Sequence, residues 1–215
     1  MGKVIALAST KGGVGKTTLT CCLAAELLNR WEPGQVPWTI VDADPQGGTS
    51  AWHEAGGPLH QLMLMREPSE RVAEVVRGLA TRSNVIVDAA GAATQTLLAV
   101  LATANLVLIP TRAGSLDAMG ALATLEMVQA MRKATKRRTP ALVVLNATGR
   151  TAMRGHIRAE LEAAGAPVAQ AEVSQRAAYA VAAINGSAPC WMGAAGKAAA
   201  AEIAALTDEI QEVLK

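Results

Sequence analysis

Aromatic side chains are scarce in this sequence of 215 residues, which has no phenylalanine, one tyrosine and four tryptophans. The core must therefore be packed from Leu, Val, Ile, Met and Ala, a composition more typical of helices on a sheet than of an aromatic-rich β-sandwich. Hydrophobic residues still make up 51% of the chain, which excludes a disordered protein. The length suits one domain, and we expect residues 1–215 to form it.

Cysteine and histidine are also few. Adjacent Cys21 and Cys22 would point in different directions from one helix, and with Cys190 they are too few for a disulfide framework. We expect buried thiols in a reducing compartment. The three histidines are scattered, so a histidine-rich metal cluster is not expected. No charged-then-apolar leader opens the chain, which predicts a cytoplasmic protein.

Charge is absent from residues 89–111, a stretch long enough to span a bilayer. Polar residues such as Thr94, Gln95 and Asn105 interrupt it, and its second half has the pattern of a strand. The sequence therefore predicts a buried helix followed by a buried strand, and no transmembrane segment.

Positive charge is concentrated in one stretch. Between Ala130 and Arg158 there are eight basic residues and no acidic one, although the net charge of the chain is only +2. Two groups of these residues are candidates for binding DNA phosphates: Arg150, Arg154 and Arg158, spaced four apart on one helix face, and Lys133, Lys136 and Arg137 at the end of the preceding helix. An ordinary solvated face, or charges that stabilise a helix C-terminus, is the alternative. No aromatic residue is interleaved, so base stacking is not expected.

Short apolar runs alternate with helical patterns along the chain. Strands are predicted at Val4–Ala8, Trp38–Val41, Leu59–Met65, Val85–Val87, Leu106–Ile109, Ala141–Leu145 and Val168–Glu172. Helices are predicted at Thr17–Asn29, Pro68–Ala80, Thr94–Ala102, Leu116–Met131, Ala152–Ala164 and about Ala194–Leu214. This alternation predicts an α/β fold with a mostly parallel sheet that has helices on both faces.

A glycine-rich loop follows the first predicted strand and opens the first helix. It comprises Lys11, Gly12, Gly13, Val14, Gly15, Lys16, Thr17 and Thr18. Glycines allow backbone N–H groups to surround a phosphate, and the positive end of the next helix points at the same anion. Lys16 can reach the β- and γ-phosphates, and the Thr17 hydroxyl can ligate magnesium. Thr10 stands where the standard phosphate-loop pattern has its first glycine, and Lys11 is an additional lysine within the loop.

Three aspartates follow predicted strands. Asp42 and Asp44 end the second strand two residues apart, so both carboxylates can face the phosphate site. Asp88 ends an apolar strand, as a Walker B aspartate does, and is a candidate to hold a magnesium-bound water. The alternatives are an Asx turn before Pro45 for the first two and a helix cap for Asp88.

The KGGVGKTT string at 11–18 resembles the deviant Walker A motif of ParA/MinD-type ATPases, in which the first glycine is not required. The resemblance extends over nearly the whole chain and is strongest to the short ParF-like plasmid-partition ATPases. It includes VDADPQ at 41–46, VIVD at 85–88, LIP at 108–110, SLD at 115–117 and QR at 175–176.

The resemblance implies roles for several residues. Asp44 would orient the attacking water, Asp42 would support the magnesium shell, and Lys11 would reach across a dimer to the partner's nucleotide. Lys11, Lys16 and Asp44 are thus the predicted catalytic residues. Asn146, after the predicted strand Ala141–Leu145, would contact adenine, while the segment PTRAGSLD at 110–117 lacks the later prolines of ParF-like members.

The implied function is a slow, partner-stimulated ATPase that needs Mg²⁺, forms a homodimer on ATP and binds nonspecific DNA. It would segregate plasmid or chromosomal DNA with a centromere-binding ParB/ParG-like adaptor, in the cytoplasm and on the nucleoid. Alternatives are the same mechanism applied to a protein cargo (a chemoreceptor cluster, a microcompartment or a secretion machine), a metabolic phosphate-loop enzyme, and a nonhydrolysing DNA-binding scaffold.

The loop lies so near residue 1 that no N-terminal helix-turn-helix is expected. The acidic last helix differs from the basic membrane helix of MinD-like proteins, so no membrane partner is expected.

Overall fold

A seven-stranded sheet organises the chain, of which a computed structural model describes residues 1–149 and 152–215. The strands are β1 Val4–Leu7, β2 Trp38–Ala43, β3 Met63–Arg66, β4 Asn84–Ala89, β5 Leu106–Thr111, β6 Ala141–Thr148 and β7 Val173–Ser174. The helices are α1 Lys16–Asn29, α2 Gly48–Glu54, α3 Val72–Leu79, α4 Gln95–Thr103, α5 Ser115–Thr135, α6 Ala152–Ala163, α7 Ala177–Ile184 and α8 Lys197–Val213.

The strands lie in the order β3-β2-β4-β1-β5-β6-β7, and every neighbouring pair is parallel. The carboxyl ends of the central strands therefore meet at one edge of the sheet, and the loops that follow them surround a common space. Within this edge, the register places Asp42 of β2 directly opposite Asp88 of β4.

Both faces of the sheet are covered. Along β1, Val4 and Ala6 join one buried apolar cluster, and Ile5 and Leu7 join the other. The first cluster is completed by α3, α4, α5 and α6, and the second by α1, α2, α7 and α8. Such two-sided burial explains why the strands are near-continuous apolar runs, and it confirms the predicted α/β architecture.

Residues 89–111, which carry no charge, form the end of β4, then α4 and β5, as predicted. No helix within residues 1–149 and 152–215 is both long and apolar enough to cross a bilayer.

Two predicted strands differ from the structure, and both lie at the sheet edges. For the predicted strand Leu59–Met65, the structure has a 3-10 turn over Pro58–Gln61 followed by β3, because proline begins the turn and the Leu59 N–H donates to the Gly186 carbonyl. Of the other predicted strand, Val168–Glu172, no residue belongs to the seven strands.

At that second edge, Val168 forms only an isolated bridge to Val143. Beyond it, the backbone N–H groups of Gln170 and Ala171 donate to the Glu209 carboxylate at 3.0 and 3.1 Å, so they are not available to a strand ladder. The strand itself, β7, begins only at Val173.

Candidate functional site

The glycine-rich loop connects β1 to α1. Gly13 and Gly15 have φ angles of 73° and 97°, in the left-handed region that favours glycine. Gly15 is also crowded, because a Cβ there would lie 2.0 Å from the Nδ2 atom of Asn146. The first turn of α1 has no side-chain cap and no acidic residue, so its N–H groups remain available for an anion.

Lys16 begins α1 and is buried beneath the loop. Its Nζ lies 3.5 Å from the backbone carbonyl oxygen of Lys11. Burial lowers the pKa of Lys16, and the negative charges of Asp88 and Asp44 act in the opposite direction. A bound polyphosphate would supply further negative charge, so the site favours a charged ammonium when an anion is present.

Thr17 and Asp88, both predicted to hold the metal, lie in direct contact. The Thr17 hydroxyl donates to Oδ2 of Asp88 at 2.7 Å, and the Thr49 hydroxyl of α2 donates to the same oxygen at 2.7 Å. The other oxygen, Oδ1, is buried and has no hydrogen-bond partner among the described residues. Burial raises the pKa of Asp88 to about 6, although the two hydroxyls favour the charged form.

An unpartnered buried carboxylate oxygen beside a threonine hydroxyl suits a hard cation with oxygen ligands. These residues fit Mg²⁺, either directly or through its bound waters. No group of three or more His, Cys, Asp or Glu residues in the described parts of the chain could hold a metal by itself.

Asp42 is fully buried, and its hydrogen bonds organise the turn from β2 to α2. Its Oδ2 accepts from the backbone N–H of Ser50 at 2.8 Å and from the Ser50 hydroxyl at 2.6 Å. Its Oδ1 accepts from the Asp44 N–H at 3.1 Å. Asp42 was predicted to support the magnesium shell, and in the structure both of its oxygens have partners within the chain. Its side chain fixes the backbone that carries Asp44.

Asp44 lies at the edge of the cleft. Its Oδ1 accepts from the Gln46 N–H at 2.9 Å, which is the Asx turn that the sequence left as an alternative. The turn and a role at the cleft are compatible, because Asp44, Pro45 and Gln46 all line it.

The cleft itself has a volume of about 840 Å³. The phosphate loop lines it together with the last residues of β6 and with residues that follow β7, among them Gln175, Arg176 and Tyr179. Its size is within the usual range for a cofactor site. Ala147, also in the lining, has a φ of 51°, an uncommon conformation for a residue with a Cβ.

Asn146, the predicted adenine contact, lies directly against the phosphate loop. Its Nδ2 donates to the Val14 carbonyl at 2.7 Å, and the side chain is buried against Gly15. It lines the cleft, but the structure gives it the role of bracing the phosphate loop.

Lys11 points along α5 within its own chain. Its Nζ forms an ion pair with Oδ1 of Asp117 at 2.7 Å, and its side chain is 38% exposed. Thr10, in place of the first glycine, bonds to the same helix: its N–H donates to the Thr124 hydroxyl and its hydroxyl to the Gly120 carbonyl. On the same helix, the neighbouring side chains of Leu116 and Met119 are exposed.

The candidate DNA-binding residues have different surroundings. Arg154 and Arg158 form ion pairs with Glu172 at 3.2 and 2.8 Å, and Arg158 also approaches Glu162. Arg150 lies outside the described residues. The sequence contains no acidic residue within this basic stretch, so the neutralising carboxylates from Glu162 and Glu172 were not expected.

Arg137 caps the end of α4 by donating to the carbonyls of Ala102 and Ala104 at 2.7 and 3.1 Å. Lys133 and Lys136, in contrast, are exposed. They line a hollow of about 560 Å³, the basic groove, whose lining consists of Arg132, Lys133, Lys136, Arg137 and Arg138.

Comparisons with known proteins identify a family and relatives of this chain. A family model described as the CobQ/CobB/MinD/ParA nucleotide binding domain matches residues 5–190. The chain is 29% identical over 210 residues to the maintenance of carboxysome distribution protein A of Halothiobacillus neapolitanus, covering 96% of this chain and 95% of that protein. It is 30% identical over 182 residues to protein ParA of Rhizobium radiobacter, covering 82% and 80%.

Among solved structures, the septum site-determining protein MinD of Pyrococcus horikoshii, complexed with Mg-ADP, is similar with a TM-score of 0.75. The two share 17% sequence identity, and the match covers 100% of this chain and 99% of that one. At this identity the likeness concerns the fold.

Proposed function

Because this chain belongs to the CobQ/CobB/MinD/ParA nucleotide-binding domain family, we propose that it is a Mg²⁺-dependent ATPase of the ParA/MinD type. The observation that carries this proposal is the contact between Thr17 of the phosphate loop and Asp88 at the end of β4, beside an unpartnered carboxylate oxygen. If the loop were only a glycine turn before a helix, nothing would require the buried carboxylate of Asp88 beside it.

The polyphosphate of ATP is bound by the N–H groups of Gly12, Gly13, Gly15 and the first turn of α1, with Thr18 beside them. Lys16 contacts the β- and γ-phosphates. When bound, Mg²⁺ neutralises phosphate oxygens, and Thr17 and Asp88 are the residues that would hold it. Asp44 orients the attacking water. Asp42 supports Asp44 by fixing the turn that follows β2.

ATP binding is proposed to control dimerisation through Lys11. In this proposal its ammonium leaves Asp117 and contacts the nucleotide of a second copy, where a positive charge stabilises the transition state of phosphoryl transfer. Hydrolysis removes the γ-phosphate and with it part of the interface. A homodimer with ATP and a monomer after hydrolysis are the two states of this switch.

Nonspecific DNA is the proposed matrix, and the basic groove at the end of α5 is the proposed contact. Its exposed lysines, Lys133 and Lys136, form no salt bridge within residues 1–149 and 152–215, whereas Arg154 and Arg158 are ion-paired. Two copies of the groove in a dimer double the number of phosphate contacts, which strengthens binding and its dependence on salt. The protein is therefore proposed to be cytoplasmic and nucleoid-associated.

The proposed cargo is plasmid or chromosomal DNA, connected through a centromere-binding ParB/ParG-like adaptor that stimulates hydrolysis. A protein cargo is the second candidate, because a relative that matches 96% of this chain is named for the distribution of carboxysomes. Deleting the gene separates the two: a DNA cargo predicts faster plasmid loss, and a protein cargo predicts mispositioned protein assemblies at unchanged plasmid retention.

The proposed switch is tested by binding to a nonspecific DNA duplex at low salt, with ATP, ADP or no nucleotide. We expect the wild-type protein to require ATP and the Lys11→Ala variant to lose binding in every state. Lys197→Ala, which removes an exposed lysine outside the cleft, is the matched control. Binding that ignores the nucleotide, or that is absent throughout, would contradict the switch.

A further inference from the structure

Helix α2 begins with two buried hydroxyl residues that bind different carboxylates. The Thr49 hydroxyl donates to Oδ2 of Asp88 at 2.7 Å, and the Ser50 hydroxyl donates to Oδ2 of Asp42 at 2.6 Å. Because Asp42 and Asp88 are opposite each other on neighbouring strands, α2 is attached to both. Ser50 completes the turn after β2, but Thr49 reaches across to the aspartate that Thr17 contacts.

The two threonines share one oxygen of Asp88. Thr17 and Thr49 lie on different helices, yet both hydroxyls donate to Oδ2, and Oδ1 is left without a partner among the described residues. A carboxylate with one donor can turn so that either oxygen accepts. Two donors that approach one oxygen from α1 and α2 determine which oxygen is occupied and which is available.

We propose that Thr49 is a positioning residue for the magnesium site. Its hydroxyl holds the Asp88 carboxylate so that Oδ1 remains available to Mg²⁺ or to a water bound to it. This inference rests on the proposed function, since it concerns the metal that accompanies the nucleotide. It also assigns a role to α2, because a shift of this helix would move Thr49 away from Asp88.

The test is a Mg²⁺ titration of binding to a fluorescent ADP analogue, with EDTA as the metal-free reference. In Thr49→Val the side chain keeps its shape and loses the hydroxyl. We expect nucleotide affinity in EDTA to be unchanged and the Mg²⁺ concentration for half-maximal enhancement to rise about tenfold, as for other residues that position metal ligands. Thr49→Ser retains the donor and should restore the wild-type Mg²⁺ dependence.

Thr20→Val is the matched control, since Thr20 is a fully buried threonine of α1 whose hydroxyl has no partner in the described structure. Its Mg²⁺ dependence should equal that of the wild type. If Thr49→Val does not fold, as judged by circular dichroism, Thr49→Ala removes the same hydroxyl without adding a methyl group, and the same titration applies.

Two results would overturn the inference while leaving the proposed function intact. One is a wild-type Mg²⁺ dependence in the hydroxyl-free variant, and the other is an equal loss of affinity with and without Mg²⁺, which indicates a purely structural role. A wild-type protein whose nucleotide affinity ignores Mg²⁺ would instead contradict the proposed function itself.

Discussion

The ammonium of Lys11 lies 2.7 Å from the carboxylate of Asp117, and both belong to the same chain. The phosphate loop is thereby attached to the start of α5. Since the proposed switch needs this lysine at the nucleotide of a second copy, the ion pair must open before the dimer forms. The pair therefore opposes dimerisation by whatever free energy it contributes to the monomer.

Replacing Asp117 with asparagine should favour the dimer. Partly exposed ion pairs contribute about 0.2–1 kcal/mol each, and forming the dimer opens two of them, so we expect the ATP-dependent dimer to form at a roughly two- to thirtyfold lower protein concentration. Sedimentation analysis with ATP measures this. Asp208→Asn, which breaks the pair between Arg30, just after α1, and Asp208 of α8, is the control and should leave the dimer unchanged. A weaker dimer in Asp117→Asn would mean that Asp117 contributes to the interface itself.

Asp44→Asn should impair hydrolysis and preserve nucleotide binding. The amide retains an oxygen for the Gln46 N–H, so the turn after β2 should persist, but it cannot accept a proton or a strong hydrogen bond from the attacking water. Single-turnover phosphate release should fall by about 10²- to 10⁴-fold. Unchanged release would assign the orientation of water to another residue.

The stability of the nucleotide-free protein should depend on the titration of Asp88. Its pKa is raised from 3.8 to about 6 in the folded state, so the folded protein binds more protons than the unfolded chain between these values. The resulting stability is present at low pH and is lost as the pH rises from 4 to 6, by up to roughly 3 kcal/mol. Urea unfolding across this range checks the prediction. Asp88→Asn should lack this component, and identical pH profiles of the two proteins would refute it.

Gly15→Ala should destabilise the protein more than the same change at another glycine with positive φ. Gly34 has a φ of 95°, close to the 97° of Gly15, but a Cβ there meets nothing within 4 Å. Gly34→Ala therefore measures the backbone cost, about 1–2 kcal/mol. The further loss in Gly15→Ala reports the contact with Asn146, and adding Asn146→Ala should recover part of it. Equal unfolding free energies for the two glycine variants would show that the loop absorbs the clash.

The basic groove should contribute more to DNA affinity than the arginines of α6. The double variant Lys133→Gln, Lys136→Gln should weaken binding to any duplex and make its logarithmic salt dependence less steep by about two phosphate contacts per protomer. Arg154→Gln, at an ion-paired position, should have a smaller effect. Fluorescence anisotropy between 50 and 200 mM salt measures both. The reverse order of effects would place the DNA on α6.

Local patterns predicted the central strands and the phosphate loop, because apolar runs and glycine spacing depend only on neighbouring residues. Contacts between distant segments could not be predicted in this way. Asp117 holds Lys11, and Glu172 balances Arg154, through packing that no local pattern encodes. Asn146 was predicted to follow its strand, whereas β6 continues to Thr148, and its bond to Val14 requires β6 and the phosphate loop to meet.

Two helices were missed for different reasons. Helix α2 is seven residues long and begins with glycine, threonine and serine, which are weak helix formers, so its position depends on the bonds to Asp42 and Asp88. Helix α7 had a usable signal, because its sequence AAYAVAAI is rich in a strong helix former. For Thr49, the sequence offered no signal other than its position shortly after the VDADPQ string at 41–46.

The strand order has a consequence for synthesis on the ribosome. Although β1 is translated first, its neighbours in the sheet are residues 85–88 of β4 and 106–108 of β5. At translation rates of about 5–20 residues per second, the nascent β1 waits several seconds for either partner. The nucleotide site cannot form before then, so ATP can stabilise the completed domain but offers no help to the emerging chain.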